Sequence, residues 1–530
     1  MELMANHDSG KVPQDRAGLY RAEGLWDDRL LADGLEAAAA RRPDALAVAD
    51  NWRRLSYAEL ANSVARCVGS IRAAGVVPGA AAVLVAGNTI EGVVAYHALL
   101  RAGATVLVLD RRCGAAEVRT ALEVRSGPAV LIVPSAERNR LCADIPFAAP
   151  VVLESLVGSD PAEWAEPDRD APAVVLFTSG TTDRPKGVIH SLNTLTAGAR
   201  NMATITGGGP ETVTFLVSPL MSITGVIQMH LFADQHAALV LEDRFEAVQS
   251  LERINAVDAT LLGGAPVIAE RLLRAAEASA DHLIALRTLA LGGAMLPRPL
   301  LELATDVFGI DIARVYGSSE APCATGSLPD DDRERRLSDD GALMPGTEVL
   351  VGSENHPQEG MLRGPCLFLG YLHPEDNELA FEDGWYRTGD LVEVETGRLT
   401  VVGRLKEVVN RNGLKITLSE VESALAGMSD VLEYACFALP DPQTGERLAV
   451  AMLPEPGAEL TLDAVVAHLL ARGIARRRFP EQLVLWDGPL PRTTSGKVIR
   501  SRLIMEAPGK PTQLVERLRS PEPRADVDSR

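Results

Sequence analysis

The chain has 530 residues, 46% of them hydrophobic and 23% charged, and a formal net charge of −20. At about 150 residues per domain the length allows three or four folding units with ample apolar material for their cores. The acidic balance argues against a nucleic-acid partner, because phosphate recognition needs a basic surface.

The trio Arg476, Arg477 and Arg478 reads as a solvated helix end rather than a binding patch. Six scattered cysteines (Cys67, Cys113, Cys142, Cys323, Cys366 and Cys436) form no CxxC pair and no metal-ligand spacing. That pattern fits reduced, buried thiols and a cytoplasmic setting. The polar start, Met1 to Gln14, lacks the apolar stretch of a secretory signal. No apolar run reaches the roughly 18 residues that a membrane span needs.

In chain order, residues 1–24 read as a polar N-terminal segment, poorly ordered to about Arg21. Ser56-Tyr57-Ala58-Glu59 is a capping box that opens a helix. Leu60, Val64, Cys67, Val68 and Ile71 form its apolar face, and Gly75 stops it. Short apolar runs at 81–85, 105–109 and 129–133 alternate with helical stretches. Such alternation predicts parallel βαβ units, and the rhythm continues past residue 300. From about Gly341 turn residues become dense, at Pro345-Gly346, Gly364-Pro365, Asp383-Gly384 and Thr396-Gly397. They mark a β-rich part over about 341–403. A further α/β segment follows over 407–505, with a second capping box expected at Ser419 to Glu422. The charged stretch 506–530 reads as a disordered tail.

The buried run Ala173 to Phe177 leads into Thr178-Ser179-Gly180-Thr181-Thr182-Asp183-Arg184-Pro185-Lys186-Gly187. Glycines let backbone N–H groups approach phosphate oxygens, hydroxyls donate to those oxygens or ligate Mg²⁺, and Lys186 adds a cation. The spacing is not that of a Walker A loop. By generic chemistry alone, a loop of this composition is more often just a loop.

The string resembles the T-S-G-T-T-G-x-P-K-G loop of the superfamily that holds acyl-CoA synthetases, peptide-synthetase adenylation domains and luciferases. Further segments resemble that superfamily's motifs in order: Leu291-Gly292-Gly293-Ala294, Tyr316-Gly317-Ser318-Ser319-Glu320, Trp385 to Asp390, Gly403 to Glu407, Gly413 to Glu422, and Pro491 to Lys497. The resemblance covers about residues 25–505 and is strongest to an acyl-CoA synthetase. It implies an α/β fold: a large N-terminal adenylating domain over 25–403, a hinge at 404–406 and a smaller α/β C-terminal domain over 407–505.

It also implies ATP-dependent activation of a carboxylic acid to acyl-AMP, with pyrophosphate released, then thioester formation with coenzyme A as acyl acceptor. Thr178, Ser179, Gly180, Thr181, Thr182 and Lys186 would hold the β- and γ-phosphates. Gly292, Gly293, Ala294, Tyr316, Gly317, Ser318 and Ser319 would line the nucleotide. Glu320, with help from Thr181, would bind Mg²⁺. Asp390 and Arg404 would reach the ribose, Lys497 would bridge the carboxylate and the α-phosphate, and Lys406 is the hinge residue. The face around Gly413 would replace Lys497 for the second half-reaction. Taken singly, Asp390 reads as a surface-turn carboxylate, Glu320 as a helix cap, Lys497 as a solvated lysine and His190 as a structural or substrate-lining group.

Four positions depart from the family pattern. Asp183 replaces a glycine, Ser319 a threonine and Leu418 a frequent proline, and Ser222 stands where many relatives carry histidine. Met221, Ser222 and Gly225 border the expected substrate pocket. No acidic residue lies between Met221 and Met229, which disfavours an amino acid. The asparagine of aryl-acid relatives is missing too, so the partner points to an aliphatic or alicyclic acid. An acyl-AMP ligase loading a separate carrier protein and a catalytically silent nucleotide-binding homologue remain the alternatives. A carboxylate near triphosphate repels it, so Asp183→Gly is expected to raise ATP affinity or leave it unchanged in an equilibrium titration; a marked loss would mean that the loop works differently.

Overall fold

The computed structural model describes residues 14–123, 130–142, 150–156, 167–178, 185–279, 283–294, 296–354, 356–493 and 497–515. The chain divides into two compact units. The first comprises Met1–Leu296, Leu300–Thr388 and Val394–Thr400; the second comprises Pro297–Pro299, Gly389–Glu393 and Val401–Arg530.

The first unit holds the parallel strands that the apolar runs predict. Ala81–Ala86, Thr105–Asp110 and Val130–Val133 lie in one sheet, with Val174–Thr178 beside Thr105–Asp110. That sheet then turns antiparallel: Lys186–His190 pairs back on Val174–Thr178, and Gly370–Tyr371 pairs on Lys186–His190. A second sheet has six parallel strands in the order Asp311–Tyr316, Thr288–Gly292, Leu261–Gly264, Val213–Leu216, Ala238–Leu241 and Leu46–Ala49. The strands of the β-rich part at Ala342–Leu343, Glu348–Val351, Glu359–Arg363, Trp385–Glu395 and Arg398–Arg404 continue this sheet rather than forming one of their own.

The helix Tyr57–Ala73 forms as its sequence pattern demands. Ser56 Oγ accepts from Glu59 N at 3.3 Å, and Glu59 Oε2 accepts from Ser56 N at 2.8 Å. Its five expected apolar residues are all buried, and Gly75 follows in the left-handed region at φ 93°.

The second unit is built on its own sheet. Gly445–Pro454 pairs antiparallel with Val431–Asp441 and parallel with Gln482–Leu485. The helices Leu418–Leu425 and Leu462–Ala471 contribute Val421, Leu425, Val465 and Leu469 to its core.

Three local expectations are corrected. The polar segment is not disordered to Arg21: Gln14–Ala22 is a helix, because Tyr20 and Trp26 are each only 3% exposed and stack edge-to-face. Trp26 Nε1 donates to the Pro365 carbonyl at 3.0 Å, which anchors the pair. The tail is not disordered from 506: Thr512–Leu514 adds to the edge of Gln482–Leu485, and the Gln513 amide bonds Leu462 N and Leu460 O at 2.8 and 3.0 Å. Residues 516–530 lie outside the described residues. Ser419 does not cap its helix, which starts at Leu418 after Thr417. Glu422 turns inward instead, accepting from Cys436 N at 2.7 Å.

Ser56→Ala removes a side-chain cap and is expected to destabilise the first unit by about 1 kcal/mol. A urea-unfolding midpoint unchanged from that of the parent would show that the box contributes nothing.

Candidate functional site

The predicted phosphate loop connects two antiparallel strands, Val174–Thr178 and Lys186–His190. Thr178 ends one strand, Lys186 begins the next, and the two residues are paired in register. Ser179, Gly180, Thr181, Thr182, Asp183 and Arg184 lie outside the described residues. Lys186 Nζ is 3.2 Å from Asp376 Oδ1 and 4.6 Å above the Tyr371 ring, so its cation is held on two sides.

The return strand ends at His190, which has no exposed surface. Its Nε2 is 2.7 Å from the Ser319 carbonyl and donates to it, while Nδ1 lies 3.0 Å from Thr194 Oγ1. Burial pushes the imidazole pKa down to about 4, against the raising influence of Ser319 and Glu320. His190 is therefore a neutral structural tie between the hairpin and the segment that carries Glu320.

That segment leaves the strand Asp311–Tyr316 as a tight turn. A Cβ on Gly317 would sit 2.5 Å from Ala321 O and 2.7 Å from Cys323 N, so glycine is required. Ser318 Oγ accepts from Glu320 N at 3.1 Å and from Ala321 N at 3.3 Å. The Phe368 N–H donates to Glu320 O at 2.7 Å, and the Tyr371 hydroxyl donates to Glu320 Oε1, also at 2.7 Å. Burial, then Glu320, raises the Tyr371 pKa, which keeps the phenol protonated as a donor. Buried Tyr386 completes the group, with hydrogen bonds to the Tyr371 and Ser318 hydroxyls. Glu320 thus has one oxygen engaged, and Oε2 has no protein donor among the described residues.

Next to this turn, Gly292 ends the strand Thr288–Gly292, followed by Gly293 and Ala294. A Cβ on Gly292 would meet the Val315 carbonyl at 2.2 Å, so the two strand ends close only without one. Ser222 caps the helix Ile223–Gln235, accepting from Gly225 N at 3.3 Å and donating to Pro219 O at 2.7 Å. Beside it Met221 is buried, and a Cβ on Gly225 would meet the Pro219 and Leu220 carbonyls at 2.4 Å. Ser222 thus has a helix-capping task that a histidine would not perform in the same way.

In the second unit Asp390 is 5% exposed rather than a surface-turn group, and Arg404 Nε lies 2.7 Å from its Oδ1. Lys406 is exposed. Gly413 takes the turn of the hairpin Val408–Arg411 and Leu414–Thr417 at φ 80°. Lys497 is exposed, and its segment is closed by Thr493 N to Lys497 O at 2.7 Å and Lys497 N to Thr493 Oγ1 at 3.1 Å.

Sequence reasoning missed several groups. Tyr371 and Asp376 sit about fifty residues beyond Glu320, with only Gly370 before Tyr371 as a signal. Arg500, three residues after Lys497, bonds Glu407 at 2.8 Å and both oxygens of Glu422 at 3.0 Å. That triad anchors the base of the Lys497 segment to the residue after Lys406.

The order of these groups along the chain has a counterpart among known proteins. Residues 35–372 match the family described as AMP-binding enzyme, and residues 420–497 match that family's C-terminal domain. The chain belongs to the AMP-binding enzyme family. The resemblance drawn from its motifs, to the adenylate-forming superfamily, therefore holds. This AMP-binding enzyme is 31% identical to a salicylyl-CoA synthase / salicylate adenylyltransferase from a Streptomyces species, over 93% of this chain and 96% of the relative. It is 29% identical to the medium-chain fatty-acid–CoA ligase of Escherichia coli strain K12, over 92% of each. Its structure resembles o-succinylbenzoate CoA synthetase from Bacillus subtilis in complex with the acyl-adenylate intermediate. The TM-score is 0.79 at 25% identity, covering 89% of this chain and 97% of that one. A large N-terminal domain with a smaller C-terminal one is the shared architecture.

Three buried histidines of this AMP-binding enzyme stay neutral: burial lowers His97 and His230 to about 3 and His190 to about 4. Unfolded, each titrates near 6.5, so between pH 6.5 and 4 the unfolded chain binds protons that the folded one does not. Stability is fully present above about 6.5 and falls with falling pH through that window. Urea unfolding at several pH values should show this, and His97→Leu should make the slope shallower by about one proton. An unchanged slope in that variant would contradict the buried neutral assignment.

Proposed function

We propose that the chain activates a carboxylic acid with ATP and transfers the acyl group to coenzyme A. In the first step the acid's carboxylate oxygen attacks the α-phosphorus and the bond to pyrophosphate breaks. In the second the thiol sulfur attacks the acyl carbon and AMP leaves. The observation that carries this reading is the joined cluster of Lys186, Tyr371 and Glu320: a cation suited to phosphate oxygens and a carboxylate suited to a metal, held by one phenol. Two anions must meet in the first step, so charge neutralisation and positioning are what the protein has to supply.

The residues fit the nucleotide and its metal. Mg²⁺ takes oxygen ligands, keeps several waters, and usually needs only one or two carboxylates; Glu320 Oε2 supplies one. When bound, it would neutralise phosphate charge. Lys186 would balance the β- and γ-phosphates with the hairpin loop. Gly292 to Ala294 and Tyr316 to Ser319 would line the nucleotide. Asp390, already oriented by Arg404, would accept from the ribose hydroxyls, as a carboxylate with two acceptor oxygens does. Lys497 would stabilise charge between the carboxylate and the α-phosphate. Lys406 would serve as hinge, and the face around Gly413 would act in the thiol step.

The stretch from Met221 to Met229, which holds the expected pocket residues Met221, Ser222 and Gly225, has no acidic residue to pair an amino group, which supports an acid that is aliphatic or alicyclic. The six free cysteines, five of them buried, accord with a cytoplasmic setting. Among the described residues no helix is long and apolar enough to cross a membrane.

Lys497→Ala should lower acid-dependent pyrophosphate exchange by about 10²-fold or more. It should leave thioester formation from supplied acyl-AMP within about twofold. Equal loss of both half-reactions would remove Lys497 from its assigned role. Coenzyme A and a phosphopantetheinylated carrier protein, compared as acceptors, decide between the two thiols.

A further inference from the structure

The helix Ile223–Gln235 starts at the substrate-side turn and buries one face on the second sheet. Gln228 lies on it with 1% of its surface exposed, and neither Nε2 nor Oε1 has a hydrogen-bond partner among the described residues. Buried amides are ordinarily paired, because water satisfies them fully in the unfolded chain. A glutamine kept unpaired at both ends calls for something that pairs it.

Its direction is defined by what it faces. A Cβ on Gly263 would stand 3.2 Å from Gln228 Nε2, and Gly263 carries none. A glycine within a strand marks a place that another group approaches closely. Gly263 and Gly264 end the strand Leu261–Gly264 and pair with Ala290 and Leu291, just before Gly292 and Gly293. The preceding residue of the same helix, Ile227, faces Gly198 together with Pro322: Ile227 Cδ1 and Pro322 Cγ are 3.0 and 3.1 Å from where a Cβ on Gly198 would be. Pro322 is two residues past Glu320. The unpaired amide therefore lies towards the carboxyl ends of adjacent parallel strands, the edge where open α/β sheets bind ligands. It sits beside the strand end assigned to the nucleotide.

We propose that Gln228 reads a hydroxyl group on the acid substrate, making that substrate a hydroxy-substituted carboxylic acid on an otherwise apolar skeleton. A hydroxyl matches both ends of the amide, because it donates to Oε1 and accepts from Nε2. The neighbouring Met221, Leu220 and Ile227 are apolar and buried, which suits the rest of the skeleton. The inference rests on the adenylation reading above and adds the polar group that this acid carries.

The test uses the full chain in pyrophosphate exchange with pairs of acids of one carbon skeleton, with and without a hydroxyl at successive positions. For one position the parent should prefer the hydroxy acid in kcat/KM by more than the roughly 10²-fold that an apolar pocket achieves on size alone. Gln228→Met, which keeps length and removes both polar atoms, should reduce that preference to below about tenfold while retaining exchange with the unsubstituted acid. No preference in the parent overturns the inference without needing any variant to fold. A preference undiminished in Gln228→Met also overturns it, and leaves the amide to an internal water. Exchange with no acid at all removes the adenylation reading itself, a result distinct from exchange without preference.

Discussion

The hydrogen bond from His190 Nε2 to the Ser319 carbonyl is the constraint on which the first unit's candidate site depends. It joins two segments that are 129 residues apart in sequence, the strand Lys186–His190 and the turn that carries Glu320. The imidazole is fully buried and neutral, so the bond is not exchanged with water and does not titrate near neutral pH. Around it the site is assembled from groups that hold one another. Tyr371 fixes Glu320, its ring lies under Lys186, and Tyr386 ties the Tyr371 hydroxyl to Ser318. The first is charge-assisted, the second a cation–ring contact and the third a neutral hydroxyl bond, and burial out of bulk water strengthens such contacts.

The second unit solves a similar problem with charge. Arg500 is clamped between Glu407 and Glu422, and also bonds the Cys436 carbonyl at 3.1 Å. Burial raises the Glu422 pKa, and Arg500 and the Cys436 N–H oppose that shift. Breaking one partner of such a buried pair costs about 3–5 kcal/mol, because the other charge is left without compensation. The arrangement gives the segment that carries Lys497 a base held to Glu407, the residue after Lys406. An exposed lysine on a fixed base suits a group that must be placed accurately yet meet a charged substrate.

Gln228 differs from both. His190 and Arg500 are satisfied within the protein, whereas the Gln228 amide has its donors and acceptor unmet among the described residues. Stability alone would favour a methionine there. The contrast between a satisfied scaffold and one unsatisfied amide beside paired glycines is what separates holding the site from reading a substrate.

Local sequence pattern determined much of this protein. The Ser56 box, the five-residue apolar face after it, the parallel strands at 81–86, 105–110 and 130–133 and the buried run before Thr178 all lie where periodicity placed them, because each depends on neighbours a few residues away. The ordered motifs also carry the family resemblance without reference to the fold. What pattern did not determine was where distant segments meet. Ser419 to Glu422 has the spacing of a capping box, yet Glu422 is drawn inward by Arg500, seventy-eight residues away. Gln14–Ala22 is a helix because Tyr20 packs on Trp26, which bonds the Pro365 carbonyl, and Thr512–Leu514 is a strand because the edge of Gln482–Leu485 accepts it. Asp376 and Gln228 carry no local signal, and Tyr371 only the Gly370 before it. Their roles arise from non-local packing and hydrogen bonding, which only the tertiary structure decides.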